Sequence, residues 1–154
     1  MTTAAQSTRP YTILLVEDSP DQQMLTRRAL EDSGVSASLH VVDDGVEALR
    51  YLRREGPFAD PAASPRPDII LLDLNMPRMD GYAVLRSLKA DPALAAIPVT
   101  VLTTSNRDAD AMECYASGAN AFVPKPAEYE KFVQLFQALG LFWARFVKLP
   151  PAQP

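Results

Sequence analysis

Apolar runs and turn signals alternate along the chain at short intervals. Tyr11–Val16 (YTILLV) is a short run of strand-forming residues, and the polar Glu17-Asp18-Ser19-Pro20 follows at once. Ser19 has the character of a helix N-cap, with Pro20 at the first helical position and Gln22 three residues on, a capping-box pattern. The helix so predicted carries Met24, Leu25 and Leu30 and stops near Gly34. Leu39–Val42 reads as a second strand, and Val46, Leu49 and Leu52 mark a second helix. Asp68–Leu72 (DIILL) is continuously apolar after its first residue, the pattern of a strand covered on both faces. A third helix is predicted from Gly81 to Ala90, a fourth strand over Pro98–Leu102 and a fourth helix over Asp108–Ser117. Ala121–Val123 makes a short fifth strand, and a helix from about Glu128 to Val147 closes the pattern.

Five repeats of strand then helix imply an α/β fold: a parallel sheet with helices on both faces, joined by right-handed crossovers. In open sheets of this kind ligands sit beyond the carboxyl ends of the strands. Between the second helix and the third strand lies GPFADPAASPRP, residues 56–67, a Pro-rich stretch that reads as an irregular surface loop. Residues 1–10 and 148–154 read as tails around one folded unit over 11–147.

Composition narrows the function classes. A length of 154 residues is a prior for one domain, and 47% hydrophobic residues suit an ordinary core. No apolar run approaches the ~20 residues that span a bilayer, and the polar start has no signal-peptide pattern. Cys114 is the single cysteine, which excludes an intramolecular disulfide framework and a four-thiolate zinc site; a cytoplasmic protein is expected. Its place on a helix near Met112 and Tyr115 suggests a semi-buried structural thiol. A formal charge of −4 argues against a dedicated nucleic-acid surface. Neither a Gly-rich phosphate loop nor a Gly-x-Ser-x-Gly element is present, so nucleotidase and hydrolase readings have no motif to rest on.

The residues just after each strand carry the candidate chemistry. Glu17 and Asp18 follow the first strand, Asp73 the third, Thr103, Thr104 and Ser105 the fourth, and Lys125-Pro126 the fifth. One such carboxylate alone is ordinarily solvated or capping a helix. Three together repel one another, which raises pKa values or calls for a cation, and an all-oxygen donor set suits Mg²⁺.

The segments VEDSPDQ, LLDLNMPRMDG, VTVLTTS and GANAFVPKP, in this order, resemble the receiver domains of two-component response regulators, over about Tyr11 to Val147. The resemblance implies a flavodoxin-like doubly wound sheet of five parallel strands, order 2-1-3-4-5, with five helices. It also implies that Asp73 is the phosphoacceptor, taking a phosphoryl group from a histidine of a partner kinase. Asp18 would then bind Mg²⁺, Glu17 would hold it chiefly through water, and the backbone carbonyl of Asn75 would complete the protein ligands. Lys125 and Thr103 would each meet a phosphoryl oxygen, and a cis peptide between Lys125 and Pro126 would aim the lysine inward. Phe122 falls where the family places a switch aromatic that follows the threonine, though a plain core role fits it equally. Asn75 and Ser105 occupy the positions that tune phosphoryl lifetime; neither is acidic or long, so an intermediate rate of self-catalysed hydrolysis is expected. His40, the only histidine, reads as an edge-strand residue, so the kinase is a separate protein.

Nothing of the length is left for a DNA-binding module, which points to a stand-alone receiver acting through a changed surface or as a phosphate sink. A catalytically silent interaction module is the competing class. Tyr129, Phe132, Val133, Phe136 and Leu139 give the last helix a core face, after which GLFWARFVKLPP is apolar over most of its circumference. Phe142, Trp143 and Phe146 are therefore candidates for a homodimer interface, the alternative being that they cover their own core. The Pro-rich loop and the FWARFVKLP ending resemble the small response regulators of bacterial phytochrome-type histidine kinases, implying a light-sensing partner. Neither membrane nor nucleic acid is expected as a partner.

Overall fold

Short β-branched and aliphatic runs separated by capped helices leave little choice of architecture. In the computed structural model, which describes residues 10–76 and 79–151, the strands are β1 (Tyr11–Val16), β2 (Ala37–Val42), β3 (Ile69–Leu72), β4 (Val99–Thr103) and β5 (Ala121–Pro124). The α-helices are α1 (Pro20–Asp32), α2 (Gly45–Leu52), α3 (Gly81–Ala90), α4 (Asp108–Ala116) and α5 (Tyr129–Arg145). All strand pairs are parallel, in the order β2-β1-β3-β4-β5 that the resemblance implies. The expected N-terminal tail, apart from Pro10, and the last three residues lie outside the described residues.

Burial follows position in the sheet. Every residue of β3 and β4 is buried, whereas the edge strand β2 is mostly half-buried. The sheet separates two apolar clusters. One packs Leu14, Val16, Ile70 and Leu72 against Leu49, Val84, Leu85 and Leu88 of α2 and α3. The other packs Ile13, Leu15, Ile69 and Leu71 against Ala29 and Leu30 of α1 and Phe132 and Phe136 of α5. Alternate residues of one strand thus feed opposite layers, as the two-residue period requires.

Three local expectations change. The capping box at α1 is half formed: Ser19 Oγ accepts the Gln22 amide at 3.3 Å, but the Ser19 N–H donates to Glu17 Oε2 at 3.2 Å. Stretch 56–67 is better anchored than a free surface loop, with a 3-10 turn at Gly56–Phe58, a buried Ser64, and the Tyr51 hydroxyl donating to the Pro65 carbonyl at 2.8 Å. Cys114 is fully buried, and burial pushes its thiol up to about 11.

The end of α5 corrects one interface candidate. Trp143 is only 8% exposed and its ring meets Tyr11 edge-on at 5.7 Å, so it closes the α5 side of this chain's own core. Phe142 and Phe146, at 53% and 77% exposure, project outward with Leu141. Trp143 lies about 100° around the helix from Phe142, enough to turn its ring to the sheet while Phe142 faces out.

Candidate functional site

Parallel pairing brings the ends of β1 and β3 level. Val16 pairs with Leu72, the Asp73 N–H donates to the Val16 carbonyl at 3.0 Å, and the Glu17 N–H donates to the Val42 carbonyl at 3.1 Å. Glu17, Asp18 and Asp73 each offer an oxygen, and these oxygens all lie within 4.8 Å of one another. The cluster is a fit for a small, hard cation: three carboxylate donors, with Asp18 and Asp73 still half-open to water.

Asp73 is electrostatically unusual. Burial and the neighbouring Glu17 push its carboxyl up to about 6, against the opposing pull of Lys125 and the amides of Leu74 and Asn75. The Leu74 N–H donates to Asp73 Oδ1 at 2.9 Å, which fixes the side chain at the strand end. The loop after Asp73 is held by close backbone contact. The Gly81 N–H donates to the Leu74 carbonyl at 2.9 Å, and a Cβ at Gly81 would lie 2.6 Å from the Asp73 carbonyl oxygen. Asp80 caps α3 by accepting the Ala83 amide.

Lys125 enters from the far side of the sheet. Thr103 pairs with Pro124, and the Lys125 N–H donates to the Thr103 carbonyl at 2.6 Å. Its ammonium lies 2.8 Å from Glu17 Oε1 and 3.3 Å from Gln22 Oε1, with the Lys125 and Glu17 side chains both nearly buried. The expected cis peptide is absent, since no described peptide bond is cis. A four-carbon side chain spans the distance from a trans backbone. Thr103 is fully buried, and its Oγ1 accepts the Ser105 N–H at 3.2 Å.

The remaining candidates sit around this centre. Asn75 is exposed beside Asp73, and half-buried Ser105 donates its hydroxyl to Asp110 Oδ2 at 2.5 Å. Phe122 is half-buried on β5 against the α3 side of the core, and its N–H donates to the Tyr115 hydroxyl. His40 lies on edge strand β2, with Nε2 3.2 Å from Ser38 Oγ, away from the acidic cluster's strand ends. Burial, and secondarily Arg27, lowers its pKa from the ordinary value.

Four participants escape a reading of the sequence. Gln22 reaches Lys125 instead of capping its own helix, and Gln23 donates to the Glu17 carbonyl at 2.6 Å and to Asp43 at 2.8 Å. Their place in the first turn after an acidic pair is a signal that could have found them. Tyr82 and Asp110, joined at 2.9 Å, have no local signal, because they come together only when α3 and α4 pack.

Comparison with known proteins assigns the family. The response regulator receiver domain model matches residues 13–137. The chain belongs to the response regulator receiver family. Members of this family accept a phosphoryl group, pair with histidine kinases and bind a divalent metal. This receiver is 37% identical to response regulator Rcp1 of Synechocystis sp. over 96% of its own length and 98% of the relative's. Its fold matches the phosphorylated cyanobacterial phytochrome response regulator RcpA, with TM-score 0.83 and 39% identity over 92% of this chain and 99% of that one. It also matches response regulator RPA3017, from red light signalling of R. palustris, with TM-score 0.88 and 36% identity over 93% and 99%. The Mn²⁺-bound form of Rcp1 superposes with TM-score 0.80 at 37% identity, covering 92% of this chain and 100% of that one. No helix among the described residues of this receiver is long and apolar enough to cross a membrane.

Proposed function

We propose that this receiver takes a phosphoryl group from a partner histidine kinase onto Asp73, in a reaction that requires Mg²⁺. The observation that carries the reading is the convergence of Glu17, Asp18 and Asp73 within 4.8 Å, with Lys125 against the same cluster. Asp73 Oδ attacks phosphorus carried on a histidine nitrogen. An O–P bond forms, the P–N bond breaks, and the departing imidazole nitrogen keeps the electron pair and takes a proton from solvent. With a carboxyl near 6, Asp73 is mostly ionised at neutral pH and so is a ready nucleophile.

Asp18, Asp73, Glu17 and the Asn75 carbonyl are the groups that would hold Mg²⁺. When bound, the ion neutralises the carboxylates and the negative charge that accumulates on the phosphoryl oxygens. Lys125 holds Glu17 in place and offers its ammonium to one phosphoryl oxygen. The Thr103 hydroxyl keeps its proton available and donates it to another, with Phe122 following that movement. Asn75 and Ser105 flank the product and set its lifetime. Neither side chain is a strong base for an attacking water, which supports self-catalysed hydrolysis at an intermediate rate.

That RcpA is a phytochrome response regulator and that RPA3017 acts in red light signalling support a phytochrome-type light-sensing kinase as the partner. The exposed Leu141, Phe142 and Phe146 support a homodimer through the C-terminal part of α5.

The deciding experiment is phosphotransfer from labelled histidine kinases in Mg²⁺ and in chelator, with Asp73→Asn as control. Label that depends on both Mg²⁺ and Asp73 is expected. No Asp73-dependent label from any kinase or small phosphodonor would leave a silent interaction module.

A further inference from the structure

One carboxylate ties the first turns of two helices to the end of β4. Asp110, third residue of α4, accepts from Ser105 Oγ at 2.5 Å through one oxygen and from the Tyr82 hydroxyl of α3 at 2.9 Å through the other. Ser105 is held on every side: its Oγ accepts the Arg107 N–H at 3.2 Å and its own N–H donates to Thr103 Oγ1 at 3.2 Å. A continuous path therefore runs from α3, through α4, to the hydroxyl that the proposed function assigns to a phosphoryl oxygen. Ser105 and then Tyr82 hold the Asp110 carboxyl below the usual range. Burial and Asp110 push the Tyr82 hydroxyl well up, so it remains a donor at any pH the protein meets.

This path bears on the phosphorylated state through the position of Thr103, whose Oγ1 accepts from Ser105 and still has a proton to give. If Thr103 turns its hydroxyl to a phosphoryl oxygen, the Ser105 N–H either loses its acceptor or moves with it. Moving Ser105 strains the short bond to Asp110, which Tyr82 anchors from a different helix. We propose that Tyr82 and Asp110 are positioning residues that, acting through Ser105, latch Thr103 in the resting arrangement and so oppose phosphoryl acceptance until the latch opens. The inference rests on the proposed role of Thr103. Its consequence is a surface change: opening frees the α3–α4 contact at Tyr82 and makes that face the reporter of the site. Linkage requires that whatever stabilises the resting arrangement weaken phosphoryl binding by the same factor.

The test is titration of the full chain with beryllium fluoride in Mg²⁺, read by fluorine NMR, for wild type, Tyr82→Phe and Asp110→Asn. Tyr82→Phe removes one hydroxyl and keeps the ring in its packing, and thermal melts verify that it folds. Tyr82→Phe is expected to tighten binding about five- to tenfold, the lower range of site-to-site couplings. In a Thr103→Ala background the same change should have no effect, because the latch then has nothing to hold. Unchanged affinity, or a lowered melting temperature alone, would reduce Tyr82 and Asp110 to structural contacts. Weaker binding would mean that they preorganise the site, also overturning the latch. Failure of wild type to bind the analogue at all would overturn the proposed function as well, which separates the two failures.

Discussion

Asp73 carries the clearest residue-scale consequence. Its carboxyl lies near 6 in the folded protein, against an ordinary value of 3.8. Between those values the folded state holds a proton that the unfolded state has released, so stability falls as pH rises from about 4 to about 6 and stays lower above. Allowing for partial exposure to water, the loss is ~1–2 kcal/mol. Asp73→Asn removes it. In chelator at pH 7 to 8 the variant is expected to melt a few degrees above wild type, and the gap should close as pH falls through 6. Adding Mg²⁺ should raise the wild-type melting temperature more than the variant's, since the cation takes over the relief of repulsion that the substitution supplied. Equal melting temperatures across that range would show that neither burial nor Glu17 raises the Asp73 carboxyl. The partner charge makes the opposite case. Lys125 and Glu17 form a nearly buried pair at 2.8 Å, and Lys125→Met leaves Glu17 beside two further carboxylates. A destabilisation of ~3–5 kcal/mol is expected in chelator by denaturant unfolding, partly recovered in Mg²⁺.

At the scale of elements, legibility tracked how local the cause was. The bounds of β1 and α3 were legible because their causes lie within a few residues: an acidic turn follows Val16, and in the folded chain Asp80 caps the helix that starts at Gly81. The acidic cluster was equally readable once the strands were taken as parallel, since strand ends must then share an edge. Trp143 was not: its burial depends on Tyr11 at the other end of the chain, and composition alone gave it the same character as Phe142 and Phe146. The same reason hid Tyr82 and Asp110, whose contact requires two helices to have packed. The distinction on α5 has a measurable form. Trp143→Ala empties a core position and should cost ~3–5 kcal/mol, whereas Phe146→Ala should fall within about 0.5 kcal/mol of wild type in urea. Comparable losses at both, at concentrations where the protein is monomeric, would mean that Phe146 also lies in the core. On α3, Gly81→Ala brings a methyl against the Asp73 carbonyl oxygen and the Leu74 Cα, 2.6 and 2.8 Å away. Backbone cannot yield as a side chain can, so ~1–3 kcal/mol of stability is expected to go, together with weaker Mg²⁺ binding in calorimetric titration.

For the whole molecule, two regions at different ends of the fold have to communicate if a phosphoryl group is to change a surface. The acidic cluster lies at the carboxyl edge of the sheet, while Leu141, Phe142 and Phe146 project from the last turns of α5. The core of this chain is closed without those three side chains, since Trp143, Phe136 and Phe132 already cover the α5 side of the sheet. Their exposure therefore brings the monomer no packing, and burying it in a second copy would remove apolar area from water at ~25 cal/mol per Å². The Phe142 and Phe146 rings also lie side by side, tilted by 38° with centroids 6.5 Å apart, a pair already arranged as one contact. A double Phe142→Ser, Phe146→Ser variant is thus expected to keep the wild-type melting temperature within about 2 °C at concentrations where the wild type is monomeric, since exposed positions contribute little. Its dimer dissociation constant in sedimentation equilibrium should rise at least about tenfold, the effect of losing 1.4 kcal/mol at an interface. A wild type that sediments as a monomer at micromolar concentration, with and without beryllium fluoride, would rule out self-association and leave the patch to a different protein.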